Sequence, residues 1–275
     1  MGKYGSKIWS LLLIVAMLAG LVFIPGGMEA KAAADEGYTL IDVIKNYSGC
    51  TGAQGMTVDD TYIYNVKIAS STSDNAIITR THRSTGETIY LTNGSDGTVF
   101  FTNLYHANDL DIVTVNGVKN ILVATTQKGA TSLVRFTLSG TTLTQAAGYT
   151  AMSDGSQTTV SSAQVMRVNG TKLEILFKRN KNLFYGTVDA SKSSGEFTIT
   201  KAFTLDMANV TVNGKVHDMT DWLHQGFDYI DHRIFVPFTS EADPSISTIV
   251  VYDVQGATGT IQNDPNLSFY IQSEE

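Results

Sequence analysis

Cysteine is almost absent from this chain of 275 residues: Cys50 is the only one. A single thiol excludes an internal disulfide, so any fold must rest on burial and backbone hydrogen bonds. A nucleophilic role for Cys50 would need a base nearby to make it a thiolate. No histidine lies close in sequence, and a small buried or turn residue is the plainer reading. Proline is scarce, with 4, and charged residues make up only 16%. Helical periodicity is missing too. Beyond residue 34 no stretch repeats apolar residues at three- and four-residue spacing for more than about two turns. There is no Gly-x-Ser-x-Gly elbow, no phosphate-binding glycine loop and no zinc spacing. Excess positive charge is lacking as well: the formal net charge is −7. That balance argues against nucleic acid and against anionic membrane as partners.

The one long apolar run stands at the start. Lys3 and Lys7 precede Ile8–Ile24, which is broken only by Ser10 and Gly20. Ala30-Lys31-Ala32 and Ala32-Ala33-Ala34 both fit a small-x-small cleavage site. The pattern predicts a secretory signal peptide over 1–34 and a secreted chain starting at Asp35. The competing reading is an uncleaved anchor, for which the run is short. The segment 1–34 carries three lysines and one glutamate, a net +2, so the mature charge is −7 − 2 = −9. No stable membrane insertion is expected after cleavage.

Residues 35–275 read as a single all-β domain. Short runs rich in Val, Ile, Thr, Tyr and Phe alternate with Gly, Asn, Asp and Ser. A four-residue pattern recurs through them. It is Ala53-Gln54-Gly55-Met56, Ala107-Asn108-Asp109-Leu110, Ala163-Gln164-Val165-Met166 and His224-Gln225-Gly226-Phe227. The amides are 54, 56 and 61 residues apart. In each copy the amide is expected to open a strand, a tight turn follows, and a second strand returns. Val115-Asn116-Gly117 supplies the strongest such turn signal. Two more strands complete each unit, among them Thr142–Ala146 and, in the fourth unit, Thr258–Gln262. Four strands per unit repeated every 50–60 residues predict a β-propeller. The alternative is a large β-sandwich, which does not repeat a motif at that period. Four blades are visible, and Tyr38–Ile44 reads as a further strand ahead of them. The chain is then either a four-bladed ring or a five-bladed design truncated at the C-terminus.

Candidate binding residues follow from the register. If His106–Asp111 is extended, His106, Asn108 and Leu110 share one face and Asp109 and Asp111 the other. The four amides Gln54, Asn108, Gln164 and Gln225 carry donors and acceptors without charge, which suits hydroxyl-rich ligands. They could equally pin one blade to the next. His217, Asp218, Asp221, His224 and Asp228 form a second polar cluster, with no recognised metal-ligand spacing. No metal or other cofactor is expected. Arg167 and Trp222 are possible sugar contacts. Asp96 and Asp154 read as turn residues.

Two segments carry a family resemblance. Gln54-Gly55-Met56-Thr57-Val58-Asp59-Asp60-Thr61-Tyr62-Ile63-Tyr64 resembles the opening blade of helveticin J-like secreted proteins of Gram-positive bacteria. His106-Ala107-Asn108-Asp109-Leu110 resembles the His-Ala-Asn-Asp-Met element of their second blade. The similarity spans about residues 48–255. It implies a propeller-like secreted protein with bacteriocins among its relatives, and it supplies no catalytic residues. The chain departs by ending early and by lacking a clear motif in its third unit beyond Ala163-Gln164. The leading expectation is a non-enzymatic binding propeller at the bacterial surface. Its partner would be cell-wall glycan or teichoic polymer, held through His106, Asn108, Asp109, Gln54, Gln164, His224 and Gln225. Two alternatives stand beside it. One is an extracellular carbohydrate hydrolase or lyase using Asp109, Asp111 and His224. The other is an adhesion or scaffold module in which the amides are structural.

Overall fold

The computed structural model describes residues 49–69, 75–127, 131–243 and 246–272. The expected signal peptide over 1–34 and the strand Tyr38–Ile44 lie outside the described residues. The described chain contains strands and turns and no helix. By internal packing it forms two compact units, Asn46–Phe203 and one built on Thr204–Glu275.

The first unit holds three blades of antiparallel strands. Blade one is β1 (Gly52–Val58), β2 (Tyr62–Ile68), β3 (Ala76–His82) and β4 (Thr88–Tyr90), in that spatial order. The short β5 (Thr92–Asn93) and β6 (Phe100–Phe101) follow, and β6 pairs with β3. Blade two is β7 (Asp109–Val115), β8 (Val118–Ala124), β9 (Leu133–Ser139) and β10 (Thr142–Ser153), with β11 (Ser156–Gln157) turning back on β10. Blade three is β12 (Ser162–Asn169), β13 (Lys172–Arg179), β14 (Asn182–Asp189) and β15 (Ser194–Leu205). The β7–β8 turn is Asn116-Gly117 with φ of 49° and 78°, the double positive φ that Asn-Gly accommodates.

The blades stack face to face, which is why their strands are apolar on both sides. In β8, Ile121 and Val123 enter a core shared with Tyr64, Val66 and Ile78 of blade one. Their neighbours Leu122 and Ala124 enter a second core with Ile175, Phe177 and Val188 of blade three. All four β8 residues are essentially inaccessible to solvent. Each large side chain so buried contributes roughly 1.5–3 kcal/mol. The first strands of successive blades lie against one another, β1 on β7 and β7 on β12. This is the β-propeller arrangement that the repeat implied.

Strand β10 runs seven residues beyond the expected end at Ala146. After an irregularity between Gln145 and Ala147 it pairs in parallel with β15, Gly148–Met152 against Ser194–Thr198. The outer edges of blades two and three thus satisfy each other, and neither is left as an open template.

The second unit contains the hairpin β16 (Val210–Val212) and β17 (Lys215–His217), and a four-stranded sheet. That sheet is β18 (Asp228–Ile230), β19 (Arg233–Thr239), β20 (Ile246–Asp253) and β22 (Phe269–Gln272). Thr258–Gln262 does not supply its fourth strand. β21 (Gly259–Ile261) stands apart from that sheet, and the Ile261 carbonyl instead accepts from Asp206 N at 2.8 Å. Phe269–Gln272 takes the place beside β20, because its residues, not those of β21, reach the register Ile249–Phe269. Ile249, Val251 and Ile271 form the small core, with Phe235 and Phe269 against it.

Candidate functional site

The four amides do not occupy equivalent places. Gln54 lies inside β1 and Gln164 inside β12, but Asn108 precedes β7 by one residue. Gln225 is exposed in the loop before β18. The expected extended run from His106 is also corrected. Tyr105 and Ala107 have φ of 51° and 44°, so the chain turns left-handed on either side of His106. His106 and Asn108 therefore do not share a strand face. Leu104 and Ala107 are fully buried there, and the Ala107 N–H donates to the Leu104 carbonyl, which explains the turn. His106 is half-buried, and burial lowers its pKa.

Strand β7 carries two buried carboxylates, Asp109 and Asp111, at alternate positions and so on one face. Asp111 Oδ1 accepts from Thr57 Oγ1 of blade one at 3.2 Å and from Ile112 N at 2.7 Å. Asp111 Oδ2 accepts from Val165 N of blade three at 2.7 Å. Asp109 Oδ2 accepts from Ala163 N and from Gln164 Nε2, each at 3.3 Å, and its Oδ1 from Leu110 N at 3.0 Å. Gln164 Nε2 also reaches the Leu110 carbonyl at 3.5 Å. The two carboxylates and Gln164 thus join the first strands of three blades. Charge-assisted bonds of this kind are worth about 1.5–3 kcal/mol each.

Lys178 of β13 is 1% exposed and shares this region with Asp109. Burial pushes the Asp109 carboxyl well above the usual range, with Asp111 adding to the shift. Gln164, Ala163 N and Lys178 oppose it. Burial likewise pulls Lys178 down to about 8, against the attraction of Asp109. For both groups the loss of water outweighs their mutual attraction. Sequence reasoning missed Lys178. Its only signal is a charge ending the apolar run Ile175–Phe177, which normally marks a solvated strand end.

Gly55 explains how closely β1 approaches β7. A Cβ at this position would sit 2.5 Å from Asp109 Cα and 2.5 Å from Leu110 N. Gln54 and Asn108 are each one residue from that contact. Gln54 Oε1 and Asn108 Oδ1 are both buried atoms that receive no hydrogen bond among the described residues. Asn108 is 9% exposed as a whole. Beside two saturated carboxylates, the structure therefore holds two unused amide acceptors.

Most of the remaining candidates belong to the second unit, and they go separate ways. The His224 ring lies 5.3 Å from Phe238. Asp218 Oδ1 accepts from Thr220 N at 3.0 Å, and Asp228 Oδ1 from Tyr229 N at 2.8 Å. Asp221 is exposed. Among the described residues no three His, Cys, Asp or Glu side chains converge as a metal-ligand set. Arg167 is exposed at a β12 irregularity. Asp96 and Asp154 are turn residues as expected: Asp96 Oδ1 accepts from Thr98 N, and Asp154 has φ 51°.

No protein-family model matches the chain, and no curated protein matches it. Among solved structures it is similar to the GH43 BlXynB protein from Bacillus licheniformis. That similarity has TM-score 0.38 and 11% identity, over 78% of this chain and 42% of that one. It is also similar to the Dos1 propeller, at TM-score 0.34 and 8% identity, over 74% and 57%. TolB from Acinetobacter baumannii gives 0.33 and 13%, over 82% and 47%. The chain thus spans about two fifths to three fifths of the length of these three proteins. Likeness at this level carries no activity across, since one fold hosts many functions.

Proposed function

We propose that this protein is a secreted, non-enzymatic binding propeller of the helveticin J-like kind, which recognises hydroxyl-rich cell-wall glycan at the bacterial surface. One observation carries the reading. All four oxygens of Asp109 and Asp111 accept hydrogen bonds from their own strand or from neighbouring blades. Carboxylates so committed hold blades together and are poor general acids or bases, which need a free oxygen facing the substrate. The amide oxygens of Gln54 and Asn108 beside them are unused. Uncharged acceptors of this type suit a sugar hydroxyl donor, which must displace the side chains that cover them, since both atoms are closed to solvent without a ligand. Within the glycan-or-teichoic pair, the acidic balance of the mature chain favours uncharged glycan over an anionic polymer. The signal-peptide pattern and the two helveticin J-like motifs support secretion and the family reading.

The test pairs Gln54→Leu with Asn108→Leu, which removes the acceptors at nearly constant volume. Binding to purified Gram-positive cell walls, measured by co-sedimentation, should weaken by about tenfold or more, the equivalent of about 1.4 kcal/mol. The melting temperature should hold or rise, because buried unpaired acceptors cost stability. Unchanged wall binding would overturn the proposal. So would release of reducing ends from the walls by the unmodified protein.

A further inference from the structure

The second unit carries a different group of side chains suited to a ligand. His217 at the end of β17, Trp222 and Tyr270 of β22 form a cluster of rings, each half-buried. The His217 and Trp222 rings are 6.1 Å apart at 60°, and His217 and Tyr270 are 5.7 Å apart at 82°. His217 Nε2 and the Tyr270 hydroxyl are hydrogen-bonded. The backbone fixes the cluster on several sides. Leu223 N donates to the Thr239 carbonyl at 3.0 Å, and Thr239 N returns to the Leu223 carbonyl at 2.9 Å, directly after Trp222. Trp222 N donates to the Met219 carbonyl. The β16–β17 hairpin that presents His217 is held by Asn263. Its Oδ1 accepts from Thr211 N at 2.9 Å, and its Nδ2 donates to the Thr211 carbonyl at 2.7 Å. The rings are therefore set in place before any ligand arrives.

Polar atoms remain unused within this cluster. Neither Trp222 Nε1 nor His217 Nδ1 makes a hydrogen bond among the described residues. A half-buried tryptophan ordinarily finds a partner for its N–H. Fixed ring faces with free ring nitrogens at their edges match a pyranose, which has one face of C–H groups and a rim of hydroxyls. The charge of the unit selects among sugars. Thr204–Glu275 has eleven Asp and Glu against two Lys and Arg. Uronic and phosphorylated sugars are repelled by such a field, and neutral or amino sugars are not.

We infer that His217, Trp222 and Tyr270 form a second glycan subsite, selective for neutral or amino pyranose rings and independent of Gln54 and Asn108. It shares the ligand class of the reading above but none of its residues. Trp222 is one of two tryptophans, the other being Trp9, so the part of the intrinsic fluorescence that Trp222→Phe removes reports this place. The full chain is titrated with chitosan, cellulose and polygalacturonate oligosaccharides. Saturable fluorescence change with the first or second, and none with the third, is expected. Calorimetry should then show Trp222→Ala and His217→Ala at least roughly tenfold weaker, and Trp222→Phe within about threefold, since a ring face survives. A melting curve like that of the unmodified protein keeps the Ala variants interpretable, and if they unfold Trp222→Leu, which fills space but removes the ring face, takes their place with the same tenfold loss expected. No response to any neutral or amino oligosaccharide overturns the inference, as does undiminished binding in Trp222→Ala. The Gln54→Leu, Asn108→Leu variant should titrate normally. If it loses this response, the two sites are not independent and the inference falls. If wall binding survives in that variant while the fluorescence response stands, only the earlier reading falls.

Discussion

Gly55→Ala is the sharpest probe of how the blades are joined. The added Cβ would meet Asp109 Cα at 2.5 Å, Leu110 N at 2.5 Å and Asp109 C at 2.7 Å. All three are backbone atoms, so no side chain can swing away. Ordinary contact begins near 3.4 Å, so β1 and β7 must part by about 0.9 Å. The hydrogen bond from Thr57 Oγ1 to Asp111 crosses the same two strands at 3.2 Å and would stretch beyond its useful range. Overpacking costs about 1–3 kcal/mol, and a lost bond to a carboxylate about 1.5–3 kcal/mol. Together the substitution should cost about 3–5 kcal/mol. In a domain of this size that lowers the melting temperature by roughly 6–20 °C. Circular dichroism melts and urea titrations measure it. Gly52→Ala is the control on the same strand. Its Cβ meets Ile68 Cγ1 at 3.3 Å, Ile68 O at 3.4 Å and Gln54 Nε2 at 3.6 Å, none of them closer than 3.3 Å, and the cost should stay within about 1 kcal/mol. If Gly55→Ala melts with Gly52→Ala, the close approach of β1 to β7 is wrong.

Two further outcomes follow from the buried groups. Lys178 titrates near 8 folded and near 10.5 unfolded. Between those values the unfolded chain holds a proton the folded chain lacks, so stability rises with pH across that window. The difference in unfolding free energy between the unmodified protein and Lys178→Met should grow by up to about 3 kcal/mol from pH 8 to 10.5; urea titrations giving a flat difference would show that Lys178 is not buried as a cation. Cys50 is 1% exposed, its Sγ lies 3.7 Å from the Asn75 carbonyl, and burial raises its pKa. A thiol reagent such as DTNB should therefore label it only at the rate of local or global opening, and immediate labelling of the native protein would contradict that burial.

Much of the strand pattern is legible in the sequence, because its cause is local. The Asn116-Gly117 turn stands where it is read, between β7 and β8, and the strand read from Thr142 opens β10 at its observed first residue. Alternation with β-branched and aromatic residues, ended by turn residues with positive φ, is enough for that. The misreadings occur where distant partners decide. β10 outruns its local signal because β15 lies beside it. Asn108 fits the amide motif, yet it stands outside the strand because Leu104 and Ala107 are buried and turn the chain. Lys178 looks like a solvated strand end and is in fact enclosed with Asp109.

The recurring amide motif shows the division most clearly. By itself the sequence determined that similar four-stranded units recur and where their hairpins turn, since period and turn chemistry are properties of the chain alone. Only the tertiary structure decided what each copy does. Gln164 bonds to Asp109, Gln54 and Asn108 keep free acceptors, and Gln225 lies exposed. The third position, which varies in sequence, carries the joint: Gly55 lies against Asp109, and Val165 N is held by Asp111. Those roles depend on which strand comes to rest against which, and residues 54 or more positions apart in the chain meet only once the blades have stacked.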